Sequence, residues 1–520
     1  MGTPVSSVVI VGGGTAGWLT AGVLAASLKK QNKSAFDITL IESPSIPIIG
    51  VGEGTWPTMR RTLSTIGVRE TDFFRECNAS FKQGAKFAKW VTGKDDDYYY
   101  HPLVLPTGFQ DTNLAPFWQE DSSRLSFSEA VCPQESLCEV GLAPKKITTP
   151  EYAGIANYAY HLNAGKFSEF LKKHCTEKLG VRLVLDDVVQ VKATADGDIA
   201  AVVTRNQGDL NGDFFVDCSG FKALLLNGHY QVPFVSKKDV LFVDSALAVQ
   251  VPYPREDSAV VPHTVSTAQD AGWIWDIGLS SRRGIGHVYS SAHTTQEQAE
   301  DRLARYLEES TESEAGAADL EFRKLTINPG HREQFWVRNC VGVGLSAGFL
   351  EPLEASAILL VEISARALAE QFPHTRESMN ILAKRFNQTF HYRWDRIVDF
   401  LKLHYVLSKR TDSEFWIDNR DPSTVPDSLQ ELLELWRYQT PWHGDFDRTV
   451  EVFPAASYQY VLYGMGFETE PNPHGVSEDS RKTAAQYFAS TQQQTRQLLA
   501  SLPQNRELLN KIQQYGMQRV

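Results

Sequence analysis

The sequence predicts an α/β protein with a helical C-terminal portion, on three observations. The chain opens with a strand, a glycine-rich loop and a helix. Strand patterns then recur as far as about residue 290. From about residue 355 the apolar repeat becomes that of long helices. Val8–Val11 is a continuous apolar run, as a strand buried on both faces should be. Gly12-Gly13-Gly14-Thr15-Ala16-Gly17 follows, then an Ala/Leu-rich helix to about Lys30, with Lys29 and Lys30 in the last turn where they suit the helix dipole. Ile38–Glu42 reads as a second strand and completes a βαβ unit.

Residues 91–135 are polar and rich in Pro and Gly, with "DDDYYYHP", and read as a long functional loop or lid. "YHLNAGKFSEFLKKHC" starts a helix. "VRLVLDDVVQVKATADGDIAAVVTR" alternates like a hairpin, with its turn near Asp196-Gly197. "DFFVDCSG" is a further buried strand, and residues 240–290 are strand-rich. Between 376 and 409, Phe386, Phe390, Trp394, Phe400 and Tyr405 recur at near-helical spacing and read as a buried helix face. The Gln-rich tail from 480 reads as a packed helix. The expected division is an α/β module over 1–355, with an inserted β-rich segment and the lid at about 91–135, and a mainly helical part over 356–520.

Composition excludes several classes of function. With 520 residues, 42% hydrophobic, the chain can bury a large core. A net charge of −12 would repel nucleic acid and anionic membranes, so neither is an expected partner. No apolar run reaches the length of a membrane span, and the N-terminus enters a strand at once, which argues against a signal peptide. The six cysteines are scattered without metal-ligand spacing, so no metal is expected, and free thiols in a reducing cytoplasm are.

The first loop has the G-x-G-x-x-G pattern in its confirming context, between strand and helix. Gly12 permits the tight turn, Gly14 lets the backbone approach a pyrophosphate, and Gly17 lets helix pack on strand. Thr15 and Ala16 carry the helix N-terminus that faces the anion. Glu42 ends the second strand, where it can hydrogen-bond a ribose hydroxyl. It lies about 30 residues after Gly12, further than the usual NAD spacing of ~20. A second glycine loop, "GVGEG" over Gly50–Gly54, brings Gly52 and Glu53 close to the first. It reads either as a strap beside a large flat cofactor or as a tight turn. No second nucleotide fingerprint is present, so a bound cofactor that needs reduction by a nicotinamide would be reduced elsewhere.

Taken together, "GGGTAGW", "GVGEGT", "NASFKQGAKFAKW", "YHLNAGKF", "DCSGFKALL", "NPGHREQFW", "NCVGVGLSAGFLEPLE" and "DFLKLHYVLSKRTDSEFW" resemble the flavin-dependent halogenases of the tryptophan halogenase type, in consistent order from about residue 8 to 420. Trp273-Ile274-Trp275-Asp276-Ile277-Gly278 resembles that family's W-x-W-x-I-P, with Gly278 in place of proline. The resemblance implies a Rossmann-like, doubly wound parallel sheet that binds FAD, like that of flavin monooxygenases, with a helical C-terminal part covering the substrate. It implies FADH2 from a separate flavin reductase, O2, chloride or bromide, and a small aromatic substrate: tryptophan, indole or an indole derivative. In such enzymes a flavin C4a-hydroperoxide is attacked by halide to give hypohalous acid, which passes through a tunnel to the substrate. A homodimer stays open.

Site residues follow by resemblance. Lys82 in "SFK" matches the lysine that orients hypohalous acid or forms a haloamine, with Lys86 competing on spacing. Glu354 in "EPLEASA" matches the glutamate that positions the electrophile and takes the ring proton, with Glu351 nearby. Gly348, in "SAGF", joins the cofactor set. Where the family reads Ser-Thr-Gly after the glutamate, this chain reads Ala355-Ser356-Ala357, so the amides of Ser356 and Ala357 are the expected halide seat, and a bromide preference is a live hypothesis. His101 resembles the family's substrate-facing position, although an ordinary loop histidine fits equally. Phe453, Tyr458, Tyr460 and Tyr463 lie where an indole would be sandwiched. Trp273 and Trp275, two apart, face one side of a strand. Alone they read as core packing; with the other motifs they read as part of a wall that keeps substrate off the flavin. The nearest rival is a flavin-dependent aromatic monooxygenase, against which the run "VGLSAGFLEPLE" stands where many hydroxylases carry Gly-Asp. A flavoprotein without turnover is another.

Overall fold

The computed structural model describes residues 2–30, 36–46, 52–310, 320–446, 448 and 451–519. Gly50 and Val51 of the second glycine loop lie outside these, as do the side chains of Lys29 and Lys30. The chain groups into two discontinuous compact units. One comprises Met1–Ala79, Leu162–Lys237 and Asn328–Trp394; the other comprises Ser80–His161, Lys238–Ile327 and Asp395–Val520. The expected boundary at 355 falls inside the first unit.

The first unit is built on a six-stranded sheet. Its order is Trp336–Val337, Cys340–Gly342, Phe214–Asp217, Ser7–Val11, Asp37–Glu42, Arg182–Leu185, parallel except for the first pair. The apolar run at Val8–Val11 is central because it has side chains to bury on both faces. Val9, Val11, Ile41 and Val184 pack with Ile199, Val202 and Leu210 of a three-stranded antiparallel sheet, Val188–Ala193, Ile199–Thr204 and Gly208–Asn211. The helix Thr15–Lys30 packs against Ala164–Glu177 and Ser356–Glu370. The hairpin turn falls at Gly197, whose φ of 86° suits glycine. Asn163 caps its helix by accepting from the Lys166 amide.

Asp217, buried at the end of its strand, ties several loops. Its carboxylate accepts from the Ser219 amide at 3.0 Å, the Leu225 and Leu226 amides at 2.8 and 2.9 Å, and the Ser346 hydroxyl at 3.1 Å. The turn at Gly344–Ser346 is thereby joined to the strand end beside the nucleotide loop.

The second unit has a seven-stranded sheet in the order Arg323–Thr326, Ser245–Pro252, Arg282–Tyr289, Gly272–Gly278, Thr264–Gln269, Gly84–Ala88, Tyr98–Pro102. It is antiparallel apart from the pairing of Thr264–Gln269 with Gly84–Ala88. The segment expected as an irregular lid differs from that expectation. It contains the edge strand Tyr98–Pro102 and two short helices, Ala115–Gln119 and Phe127–Val131, and a third, Gln134–Glu139, starts at its end. Phe127, Ala130 and Val131 are buried with Tyr460, Tyr463 and Ala484 of the C-terminal helices, and that burial orders it. Those helices are Asp427–Tyr438, Ala455–Gly464, Glu478–Ser501 and Asn505–Tyr515. Among the described residues no helix is long and apolar enough to cross a membrane.

Candidate active site

In the first unit the three glycines behave as their spacing requires. A Cβ on Gly12, where φ is 119°, would sit 2.1 Å from the Cys218 carbonyl oxygen. A Cβ on Gly17 would sit 1.9 Å from the Gly12 carbonyl oxygen. A Cβ on Gly14 would meet nothing within 4 Å, so Gly14 borders open space at the start of the helix that begins at Thr15 and Ala16. That open cradle at a helix N-terminus fits the pyrophosphate of a dinucleotide. Glu42 stands at the end of its strand, where its Oε2 accepts from Trp18 Nε1 at 3.1 Å and its Oε1 pairs with Lys172 Nζ at 2.7 Å. Trp18 and Lys172 were not singled out from the sequence. They hold the carboxylate in one orientation and leave it further lone pairs for a ribose.

Glu53 lies in the short strand Gly52–Gly54, and burial pushes its carboxyl up to about 7. Gly348 pairs the strand Gly348–Phe349 with Gly330–Arg332, and a Cβ there would lie 2.5 Å from the Gly330 carbonyl oxygen. Gly348 thus serves the close packing of the two backbones.

Glu354 is buried, and its backbone is left-handed, with φ 63° and ψ 6°. Ala355 is left-handed too, with φ 53° and ψ 41°. Ser356 returns to the right-handed region, and the helix Ser356–Glu370 starts there. A left-to-right reversal of this kind turns successive amides toward one concavity, and the first amides of a helix have no partner within it. The local geometry suits an anion at Ser356 and Ala357 although the family's Ser-Thr-Gly is absent. Two neighbours of this turn escaped the sequence reading. Trp56 Nε1 donates to the Glu354 carbonyl at 2.9 Å, and Glu362, further along the helix, accepts from the hydroxyls of Thr62 at 2.5 Å and Thr58 at 3.2 Å.

In the second unit Lys82 ends the strand Ser80–Lys82, which pairs antiparallel with Ala159–His161, and it is 2% exposed. Lys86 is separated from it by use. Its Nζ pairs with Glu139 at 2.7 Å and lies 4.1 Å from the centre of the Tyr98 ring. His161, on the partner strand, donates to or accepts from Thr264 Oγ1 at 2.8 Å. Burial, and then the Lys82 ammonium, hold that imidazole well below its ordinary pKa, so it is neutral and adds no second charge. Ser80 hydrogen-bonds the Gly278 carbonyl, which ties the lysine strand to the end of the tryptophan strand. Gly278 itself stays in the ladder opposite Arg283, and a Cβ there would press on Tyr253 and Val260 at 3.2 Å.

Trp273 and Trp275 share a face, with ring centres 6.5 Å apart. Trp273 meets Trp90, and Trp90 in turn meets Tyr405 and Trp416. Trp275 lies across Gly286 on the next strand, where an added Cβ would be 2.1 Å from the indole. His101, Phe453 and Tyr458 converge on a residue read from the sequence only as helix core: Phe400. Phe453 stacks on it with centres 3.9 Å apart, Tyr458 meets it edge-on at 4.9 Å, and His101 at 5.6 Å. His101 Nε2 also lies 3.0 Å from Ser457 Oγ. All four rings are buried.

Residues 7–479 match the tryptophan halogenase family. A crystal structure of a tryptophan halogenase from Shewanella frigidimarina is 49% identical, with a TM-score of 0.96 over 99% of each chain. Tryptophan 6-halogenase SttH of Streptomyces toxytricini is 35% identical over 96% of this chain and 97% of its own. Tryptophan 7-halogenase RebH of Lentzea aerocolonigenes is 32% identical over 99% of this chain and all of its own. With that match spanning nearly the whole length, the chain belongs to the tryptophan halogenase family: it is a flavin-dependent halogenase, an oxidoreductase that uses FAD and a halide and works with a separate flavin reductase.

Proposed function

We propose that this enzyme uses O2 and bromide or chloride to make hypohalous acid and halogenates an indole-type aromatic, with tryptophan, the substrate named for SttH and RebH, the first candidate. The observation that carries this reading is the left-handed Glu354–Ala355 pair opening the helix at Ser356, a backbone geometry suited to turning amides toward an anion near the Glu354 carboxylate. Bound reduced FAD supplies the electrons and, with O2, the oxidising oxygen. The amides of Ser356 and Ala357 hold the halide. Lys82, buried and with a neutral His161 for neighbour, donates a hydrogen bond to the oxygen of hypohalous acid and leaves the halogen electron-poor. Glu354 stabilises the cationic ring and accepts its proton. His101, Phe453 and Tyr458 pack on Phe400, so they offer a substrate ring the outer face of a filled cluster, and Trp273 and Trp275 are assigned the role of barring that ring from the oxidant.

Six free, buried cysteines fit a reducing cytoplasm. The test is mass spectrometry of tryptophan and indole incubated with the enzyme, FAD, a flavin reductase, NADH and equal bromide and chloride. A mono-halogenated product bearing the halide isotope pattern is expected, with bromide favoured because it is more easily oxidised. A hydroxylated product that forms without halide would overturn the reading.

A further inference from the structure

We propose that Trp56 is a positioning residue that sets the orientation of Glu354 and of the Ser356 and Ala357 amides; the inference rests on the roles given to those residues above. The peptide between Glu354 and Ala355 is held at both ends. Its carbonyl accepts from Trp56 Nε1 at 2.9 Å, and its N–H donates to the Pro352 carbonyl at 3.0 Å. The residues on either side of that peptide are left-handed, with φ 63° and 53°, and neither is glycine. A side chain with a Cβ disfavours this conformation, and two in succession persist only where the surroundings hold them.

The Pro352 contact is local and travels with the turn. Trp56 comes from a segment 298 residues earlier and fixes the turn from outside it. The same segment grips the helix beyond, where Thr58 and Thr62 donate to the Glu362 carboxylate. Residues 56–62 therefore hold residues 354–362 at three points. Release of the first point lets the peptide plane rotate. That rotation swings the Glu354 side chain and re-aims the amides that follow, whereas Glu362 and its two threonines stay in place.

Trp56→Phe removes the N–H and keeps an aromatic ring. The expected result is an apparent KM for bromide raised about tenfold and a kcat on tryptophan lowered about fivefold, as for a modest misplacement of reacting groups. Affinity for oxidised FAD, read by flavin fluorescence, stays at its wild-type value, and the thermal midpoint falls slightly, as the loss of one hydrogen bond requires. Trp56→Leu also lacks the N–H and should raise the bromide KM in the same way; it carries the test if Trp56→Phe does not fold. Wild-type bromide KM and kcat in folded Trp56→Phe would overturn the inference, as would a loss confined to FAD affinity, which marks a packing role. Glu354→Gln runs alongside. Full turnover in Glu354→Gln removes the role assigned to Glu354 and the inference with it. An inactive Glu354→Gln beside a wild-type-like Trp56→Phe removes the inference alone.

Discussion

The region of the first unit proposed to bind anions and the aromatic region of the second are made of different material. Around Gly12–Gly17 and Glu354–Ala357 the backbone is the proposed binding element: glycines that leave room, a left-handed pair and the first amides of helices. Around Trp273, Trp275 and Phe400 side chains fill the space, ring against ring. A backbone site tolerates change in side-chain identity, so Ala355-Ser356-Ala357 can stand where the family has Ser-Thr-Gly. A ring site tolerates change in backbone less well, because each ring lies on a neighbour whose size is set by contact.

The largest expected effect separates the two lysines of the second unit. Lys82→Ala should lower halogenation at least about 100-fold, the scale of a lost proton-handling group, while FAD is still bound and oxidised. Lys86→Met should keep most of the turnover, since Lys86 is committed to Glu139 and Tyr98. Product formation and NADH consumption in each variant measure this. Equal losses would show that the pairing of Lys86 does not exempt it.

The regions also differ in how far the sequence disclosed them. Gly12 and Gly17 were readable because each acts through a local steric requirement, and Gly14 because it opens a helix N-terminus to free space. The left-handed Glu354–Ala355 pair was not, because that conformation is usually announced by glycine or asparagine. Phe400 was read only as helix core: its partners Phe453 and Tyr458 lie more than 50 residues away, and no spacing links them. The short helices of 115–139 were hidden because five or six residues show little periodicity. One signal was present: Ser126 lies three residues before Glu129, and the Ser126 hydroxyl caps that helix by accepting from the Glu129 amide. Lys82 and Glu354 came from resemblance, since a buried lysine and a helix-start glutamate look like many others.

A smaller effect tests the ring region through its backbone. Gly286→Ala places a Cβ 2.1 Å from the Trp275 indole and 2.5 Å from the Leu247 carbonyl oxygen. Overpacking of this kind costs about 1–3 kcal/mol. A lowered denaturation midpoint with unchanged FAD affinity is expected, and an unchanged midpoint would show that Trp275 is loosely held.

An effect of similar size lies in the pH dependence of the first unit. Burial pushes the Glu362 carboxyl up to about 7, although the Thr62 and Thr58 hydrogen bonds oppose that shift. The folded state therefore binds a proton over roughly pH 4.5–7 that the unfolded state releases. Stability from this group is present below about 4.5 and is lost as pH rises to about 7, a difference of order 3 kcal/mol at most. Glu362→Gln should flatten that part of the profile and gain stability relative to wild type at pH 8. A profile identical to wild type would contradict the assignment.

The halide seat proposed at Ser356 and Ala357 is tested most directly by anomalous diffraction from a crystal containing bromide. The account predicts an anomalous peak within about 3.5 Å of both amide nitrogens, the outer range of a hydrogen bond to a large anion. An ordered bromide elsewhere, with no peak at those amides, would contradict it.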